Sequence, residues 1–227
     1  TTMVNIAYVS GHIPPETTGS GKRALNQAIY LDKNKFNVNM ITYSSNEKLP
    51  KDLGYLKLVN LKLKPIFAFF WVLVIFFNIL KILTFTRNKK IHIIHFFGLG
   101  KISFLIFFAT RFFSLRQIRY VFDVTNNYID SPKEILNRYK YFGKIFLKNL
   151  NLVISHNVGS NNDWKNYNFS RTSIILNPID TDIFSPILAS KKVELREAYF
   201  AEKVDFLVLY IGWIRGGKGI DDFLETA

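Results

Sequence analysis

The 227-residue sequence contains no cysteine. That excludes disulfides, cysteine–zinc sites and thiol nucleophiles, and it is compatible with a reducing compartment. Acidic residues are scarce, 17 Asp and Glu against 30 Lys and Arg, giving a formal net charge of +13. Such an excess favours anionic partners: nucleic acid, lipid head groups or phosphorylated substrates. The cations nevertheless fall singly and in pairs, the densest knot being Arg87-Asn88-Lys89-Lys90. No basic run has the length of a nucleic-acid arm, so nucleic acid is not an expected partner. Histidine is also sparse. His12, His92, His95 and His156 are scattered too widely to suggest a metal-ligand cluster, and no metal is expected. Also lacking is the basic n-region of a secretory signal, since the opening Met3 to Ser10 reads as a buried strand. With no such signal, the Asn168-Phe169-Ser170 sequon carries no weight.

What the sequence has in abundance is phenylalanine, 22 residues against three tryptophans. The longest apolar run, Ile66 to Phe77, is broken by Asn78 and Lys81 before it reaches the ~20 residues that a spanning helix needs. Two readings of the Phe-rich stretches Ile66–Leu83 and Ile102–Phe113 stay open. They are core helices covering a sheet, or helices partly inserted in a membrane interface with Lys and Arg drawn to anionic lipid. The basic, amphipathic Lys133–Lys148 is a further candidate for that interface.

Strand-like and helix-like stretches alternate. Strands are expected at Val4–Ser10, Asn37–Tyr43, Leu56–Leu63, Ile91–Phe97, Arg119–Val124, Leu152–Ser155 and Ser173–Leu176. Helices are expected at Lys22–Asp32, after Pro65, at Ile102–Phe113 and at Pro132–Asn149. This alternation predicts parallel βαβ units in a doubly wound α/β sheet. Pro186 and a charged helix around Lys191 to Glu197 then suggest a change of domain, and Phe206–Ile211 starts a second βα unit. The expected organisation is one domain over residues 1–186, a linker helix over 187–203, and the start of a second domain over 204–227.

Two glycine-rich turns carry the chemistry. The first, Ser10 to Arg23, follows strand one and contains Gly19-Ser20-Gly21, whose backbone N–H groups could approach a phosphate at a helix N-terminus. The second, Gly212-Trp213-Ile214-Arg215-Gly216-Gly217-Lys218-Gly219, adds two cations that could hold a diphosphate and stabilise it as a leaving group. Asp180 and Asp182 have the spacing of an Asp-x-Asp metal motif, but after Asn177-Pro178 they are expected to cap and turn the chain.

With Pro14-Pro15-Glu16 and Gly19–Gly21, Ile91-His92-Ile93-Ile94-His95, Leu152–Ser155, Leu176-Asn177-Pro178-Ile179-Asp180 with Phe184 and Pro186, and Tyr210-Ile211-Gly212 with Lys218-Gly219, the sequence resembles glycosyltransferase family 4 across essentially its whole length. The resemblance implies a GT-B fold, two facing Rossmann-like domains, of which this chain holds the first and only the opening βα segment of the second. It implies transfer of a sugar, with retention, from a UDP- or GDP-sugar to a glycan or lipid-linked acceptor, with neither cofactor nor metal. Gly19, Ser20, Gly21, Gly212, Arg215 and Lys218 are the implied diphosphate ligands. The family's arginine directly after the strand glycine is Trp213 here, which leaves Arg215 as the candidate. Where members often carry a histidine after the fifth strand, this chain has Asp123-Val124-Thr125-Asn126. His95, Asp123 and Asn126 are the candidate catalytic residues. The expected location is cytoplasmic, peripheral on the inner face of a membrane. The competing reading is a non-catalytic module that binds membrane or a partner, or half of a split enzyme whose partner chain completes the second domain.

Overall fold

The structure is a computed structural model and describes residues 3–10, 19–42, 54–58, 68–114, 117–126, 129–177, 181, 185–199 and 224–225. Seven strands, β1 (Val4–Ser10), β2 (Phe36–Thr42), β3 (Gly54–Lys57), β4 (Ile93–Phe97), β5 (Arg119–Asp123), β6 (Leu152–Ser155) and β7 (Thr172–Ile174), form one sheet in the order β3-β2-β1-β4-β5-β6-β7. Every neighbouring pair is parallel. The helices are α1 (Gly19–Tyr30), α2 (Ala68–Asn88), α3 (Lys101–Phe113), α4 (Pro132–Asn149), α5 (Val158–Asn166) and α6 (Ala189–Tyr199). This is the expected doubly wound Rossmann-like sheet, whose order reverses between β1 and β4. The strand and glycine-rich turn expected to open a second domain, including Gly212, Arg215 and Lys218, lie outside the described residues.

Side chains alternate across each strand and so feed two cores. Ile6 and Tyr8 of β1, Val38 and Met40 of β2 and Phe97 of β4 pack with Ala24 and Ala28 of α1. Ala7, Val9, Ile94, Phe96, Phe122 and Val153 point the other way, into a larger core with residues of α2, α3, α4 and α5. Here the phenylalanines find their place. Phe146 of α4 meets Phe107 at 5.1 Å, Phe122 at 5.7 Å and Phe96 at 5.8 Å between ring centroids. Such edge-to-face contacts add about 0.5–1.5 kcal/mol per pair beyond area burial. For the buried parts of the Phe-rich stretches, the reading as sheet-covering helices is therefore right. Among the described residues no helix is long and apolar enough to cross a membrane.

Local signals set the helix ends. Ser131 caps α4 by accepting from the Glu134 N–H at 3.3 Å, and Pro132 occupies the first turn, where its missing N–H costs nothing. Inside α4 the backbone breaks at Lys140 (φ 44°, ψ −118°), a conformation usually left to glycine. Contacts divide the chain into two units, Thr1–Pro178 and Ile179–Ala227. In the second unit, α6 carries the charged stretch around Lys191 to Glu197.

Candidate functional site

In open parallel sheets, ligands bind beyond the carboxyl ends of the strands, at the point where strand order reverses. Here the carboxyl ends of β4, β5 and β6 bring three polar side chains together on the face covered by α1. Register puts Phe97 beside Asp123, so His95, two residues earlier in β4, shares Asp123's face. His156 directly follows β6. Its Nε2 lies 3.2 Å from Asp123 Oδ1, a hydrogen-bond distance without the alignment of one. His95 Nε2 stands 3.6 Å from Asp123 Oδ2. Two of the histidines that look scattered in sequence, His95 and His156, thus flank one carboxylate, because β5 lies between β4 and β6.

Over this group α1 lays Arg23, which sequence reading left out of the site. Its Nε donates to Asp123 Oδ2 at 3.1 Å, its Nη1 to Asn177 Oδ1 at 2.7 Å and its Nη2 to the Ile175 carbonyl at 3.0 Å. One guanidinium therefore joins α1, the end of β5 and the segment that leaves β7. Both Arg23 and Asp123 are almost wholly buried. Tyr8 completes the lining, edge-on to His95 at 5.1 Å and Phe97 at 5.0 Å, while His95 stacks on Phe97 at 4.3 Å.

Electrostatics give these groups different protonation states. Burial alone would raise the Asp123 pKa, but the His156 and His95 imidazoles and the Arg23 guanidinium outweigh it and hold the carboxyl well below its usual range. Asp123 is thus a fixed negative charge at neutral pH and a poor proton acceptor. Burial lowers the His95 pKa against the pull of Asp123, so this imidazole is neutral at pH 7. Burial first, and Asp123 second, push the Tyr8 hydroxyl up to about 12. Around the carboxylate, His95 Nε2, His156 Nδ1 and Ser155 Oγ are buried without a hydrogen-bond partner among the described residues. Buried polar groups are nearly always paired, which sets this cluster apart from the rest of the sheet's interior. Among the described residues no group of three or more His, Cys, Asp or Glu is arranged to hold a metal ion.

The other expected site residues fall near this group or beyond view. Gly19, Ser20 and Gly21 form the first turn of α1, where backbone N–H groups have no intrahelical acceptor. Asn126 is exposed in the turn after β5, and its backbone N–H donates to Asp130 Oδ2 at 3.0 Å. Asp130, which the sequence did not single out, also accepts from the Thr125 N–H and hydroxyl and from the Leu99 N–H. It thereby staples the loop after β4 to the loop after β5. Gly98 is needed at that junction, since its φ is +77° and a Cβ would lie 2.6 Å from Thr125 Oγ1. His92 sits before β4, at the opposite end of the sheet, with its Nδ1 accepting from the Asn5 N–H at 3.0 Å.

The His95 environment predicts a pH dependence of stability. The unfolded chain binds this proton near pH ~6.5, whereas the folded chain resists it. Its neutral burial therefore costs nothing above that pH, and stability falls as pH drops below it, by at most about 1.4 kcal/mol per pH unit for one proton. Urea unfolding followed from neutral to mildly acidic pH should show this fall, and His95→Phe should flatten it. A parallel fall in that variant would assign the effect elsewhere.

The sheet and its helices form a Rossmann-like domain, and its likeness to solved structures concerns the fold alone. The chain is similar to the lipopolysaccharide outer core galactosyltransferase WaaB in its apo form (TM-score 0.52, 14% identity, covering 78% of this chain and 46% of that one). It is also similar to a glycosyltransferase from Rickettsia africae ESF-5 (TM-score 0.55, 17% identity, covering 88% and 50%). A third such structure is sucrose-phosphate synthase from Thermosynechococcus elongatus (TM-score 0.54, 14% identity, covering 85% and 52%). The chain spans about half the length of these structures. No protein-family model matches the sequence. Nor does any curated protein match it.

Proposed function

We propose that the chain is the acceptor-side half of a nucleotide-sugar-dependent glycosyltransferase, similar to family 4 and retaining at the anomeric carbon. The observation that carries this reading is the buried Asp123 group at the carboxyl ends of β4, β5 and β6, in a sheet whose solved relatives are glycosyltransferases. In the proposed reaction the bond from the anomeric carbon to the diphosphate oxygen breaks, and its electron pair leaves with the nucleoside diphosphate. An acceptor hydroxyl on a glycan or lipid-linked sugar forms the new bond on the same face and passes its proton to the departing diphosphate oxygen. Most of the rate then comes from positioning and from stabilising the departing charge. Arg215 and Lys218, and the first-turn N–H groups of Gly19, Ser20 and Gly21, are the groups assigned to the departing diphosphate. Asp123 serves as a permanent charge that orients His95 and His156. His156 Nδ1, with Ser155 Oγ, is offered to sugar hydroxyls.

Incubating the complete protein with UDP- and GDP-sugars tests the reading. One nucleotide class should raise the melting temperature, by a shift equivalent to about 2.7 kcal/mol at a hundredfold excess over Kd, and should be released as the diphosphate when acceptor is added. If neither class stabilises the protein or is consumed, the transferase reading fails and the non-catalytic module takes its place.

A further inference from the structure

We propose that the outer face of α3 and α4 docks on the surface of an anionic lipid bilayer. Phe112 and Phe113 end α3 at 61% and 65% exposure, and Tyr141 and Phe142 in the middle of α4 are exposed by 71% and 59%. These rings form one patch. Phe142 meets the partly buried Phe108 edge-on at 5.3 Å, and Phe108 stacks on Phe112 at 5.7 Å. Through Phe108 the patch is seated on the aromatic core, since Phe108 also meets Phe107 at 5.2 Å. On α2, which packs against α3, Phe76 and Phe77 are likewise more than half exposed. Single exposed aromatics are ordinary, whereas several grouped on adjoining helices mark an interaction surface. The backbone singles out the same spot, because the strained Lys140 immediately precedes Tyr141 and Phe142. Such strain persists where the surroundings hold it and collects at working sites.

Charge decides the occupant. Each aromatic pair has a cation as its neighbour: Arg111 before Phe112-Phe113, and Lys140 and Lys144 on either side of Tyr141-Phe142. Along α4, Lys133, Arg138, Lys140, Lys144 and Lys148 face one acid, Glu134, and neither α2 nor α3 carries any acid. The core of a protein–protein interface is depleted of charge, which this surface is not. A second copy of the chain would bring the same excess of cations against this one, and like charges opposed across an interface are costly. A bilayer meets both demands. Rings settle at the boundary between head groups and acyl chains, while lysine and arginine stems carry their charges out to lipid phosphates. The proposal is independent of the glycosyl-transfer reading, since it uses neither the Asp123 group nor the glycine-rich turns.

Cosedimentation of the full chain with phosphatidylcholine vesicles, with and without phosphatidylglycerol, tests it. Binding is expected to the anionic vesicles and to weaken as salt is raised. Lys140→Gln with Lys144→Gln should weaken that binding roughly thirtyfold. Phe112→Ser, Phe113→Ser and Phe142→Ser together should weaken it at least about tenfold. More than half of each of these rings is in solvent and Lys140 and Lys144 are exposed, so both variants should keep the parent's circular dichroism. Should either variant lose its fold, the other still decides the question. Equal binding to both vesicle types, binding that the variants leave intact, or dimerisation through this patch without vesicle binding overturns the proposal.

Discussion

Replacing Arg23 with methionine is expected to destabilise the first unit by about 3–5 kcal/mol, because it strands an ionised, fully buried carboxylate. Domains of this kind are stable by roughly 5–15 kcal/mol in all, so one substitution removes a large share. Two further bonds, to Asn177 and the Ile175 carbonyl, go with the guanidinium. What remains beside Asp123 is the pair of imidazoles, and the carboxyl, released from one of the groups that hold its pKa down, takes up a proton more readily. The variant should therefore be penalised less at mildly acidic pH than at neutral pH. Asp123→Asn should also be costly, leaving an unpaired buried cation. The double variant should recover much of the loss, since a buried ion pair replaced by neutral groups of similar volume is often nearly neutral. Urea unfolding of the four proteins gives the coupling energy directly. A single-variant cost below about 1 kcal/mol, or strict additivity in the double, would show that Asp123 does not depend on Arg23.

The reach of that pair also explains what the sequence could and could not disclose. Apolar runs bounded by turns made β1, β4, β5 and β6 legible within a residue or two, because strands buried on both faces carry little polar interruption. Helix α5 was missed. Val158-Gly159-Ser160-Asn161-Asn162-Asp163 has the composition of a loop, yet Asn157 caps it by accepting from the Ser160 N–H at 2.8 Å, and Trp164 anchors it in the larger core. The period-two run Leu56–Leu63 pointed to a strand starting later than β3, whose Gly54–Lys57 pairs with Asn39–Thr42 of β2; residues 59–63 of that run lie outside the described residues. Asp123 and His95 could be placed at strand ends from the sequence alone. Their companions could not. Arg23 lies 100 residues from Asp123 and 154 from Asn177, and such contacts leave no local pattern. Asp130 escaped notice for a different reason, because its partners are mostly backbone N–H groups, which any sequence possesses.

In the complete protein, Lys218→Met is expected to lower turnover by roughly a hundred- to a thousandfold while leaving thermal stability unchanged, if the glycosyl-transfer reading is right. The reasoning is chemical. As the anomeric bond breaks, negative charge grows on the diphosphate, and a cation beside it gains most at the transition state. The loss should therefore fall on kcat more than on KM, and Arg215→Met should behave in the same sense. Lys218→Arg should retain part of the rate, since charge is kept while geometry changes. Asp123→Asn offers the contrast, because it should move stability and turnover together. A Lys218→Met enzyme with unaltered kcat would remove the second glycine-rich turn from the chemistry. A kcat effect confined to Lys218 and Arg215, with stability intact, would separate a working transferase from a domain that merely shares its fold.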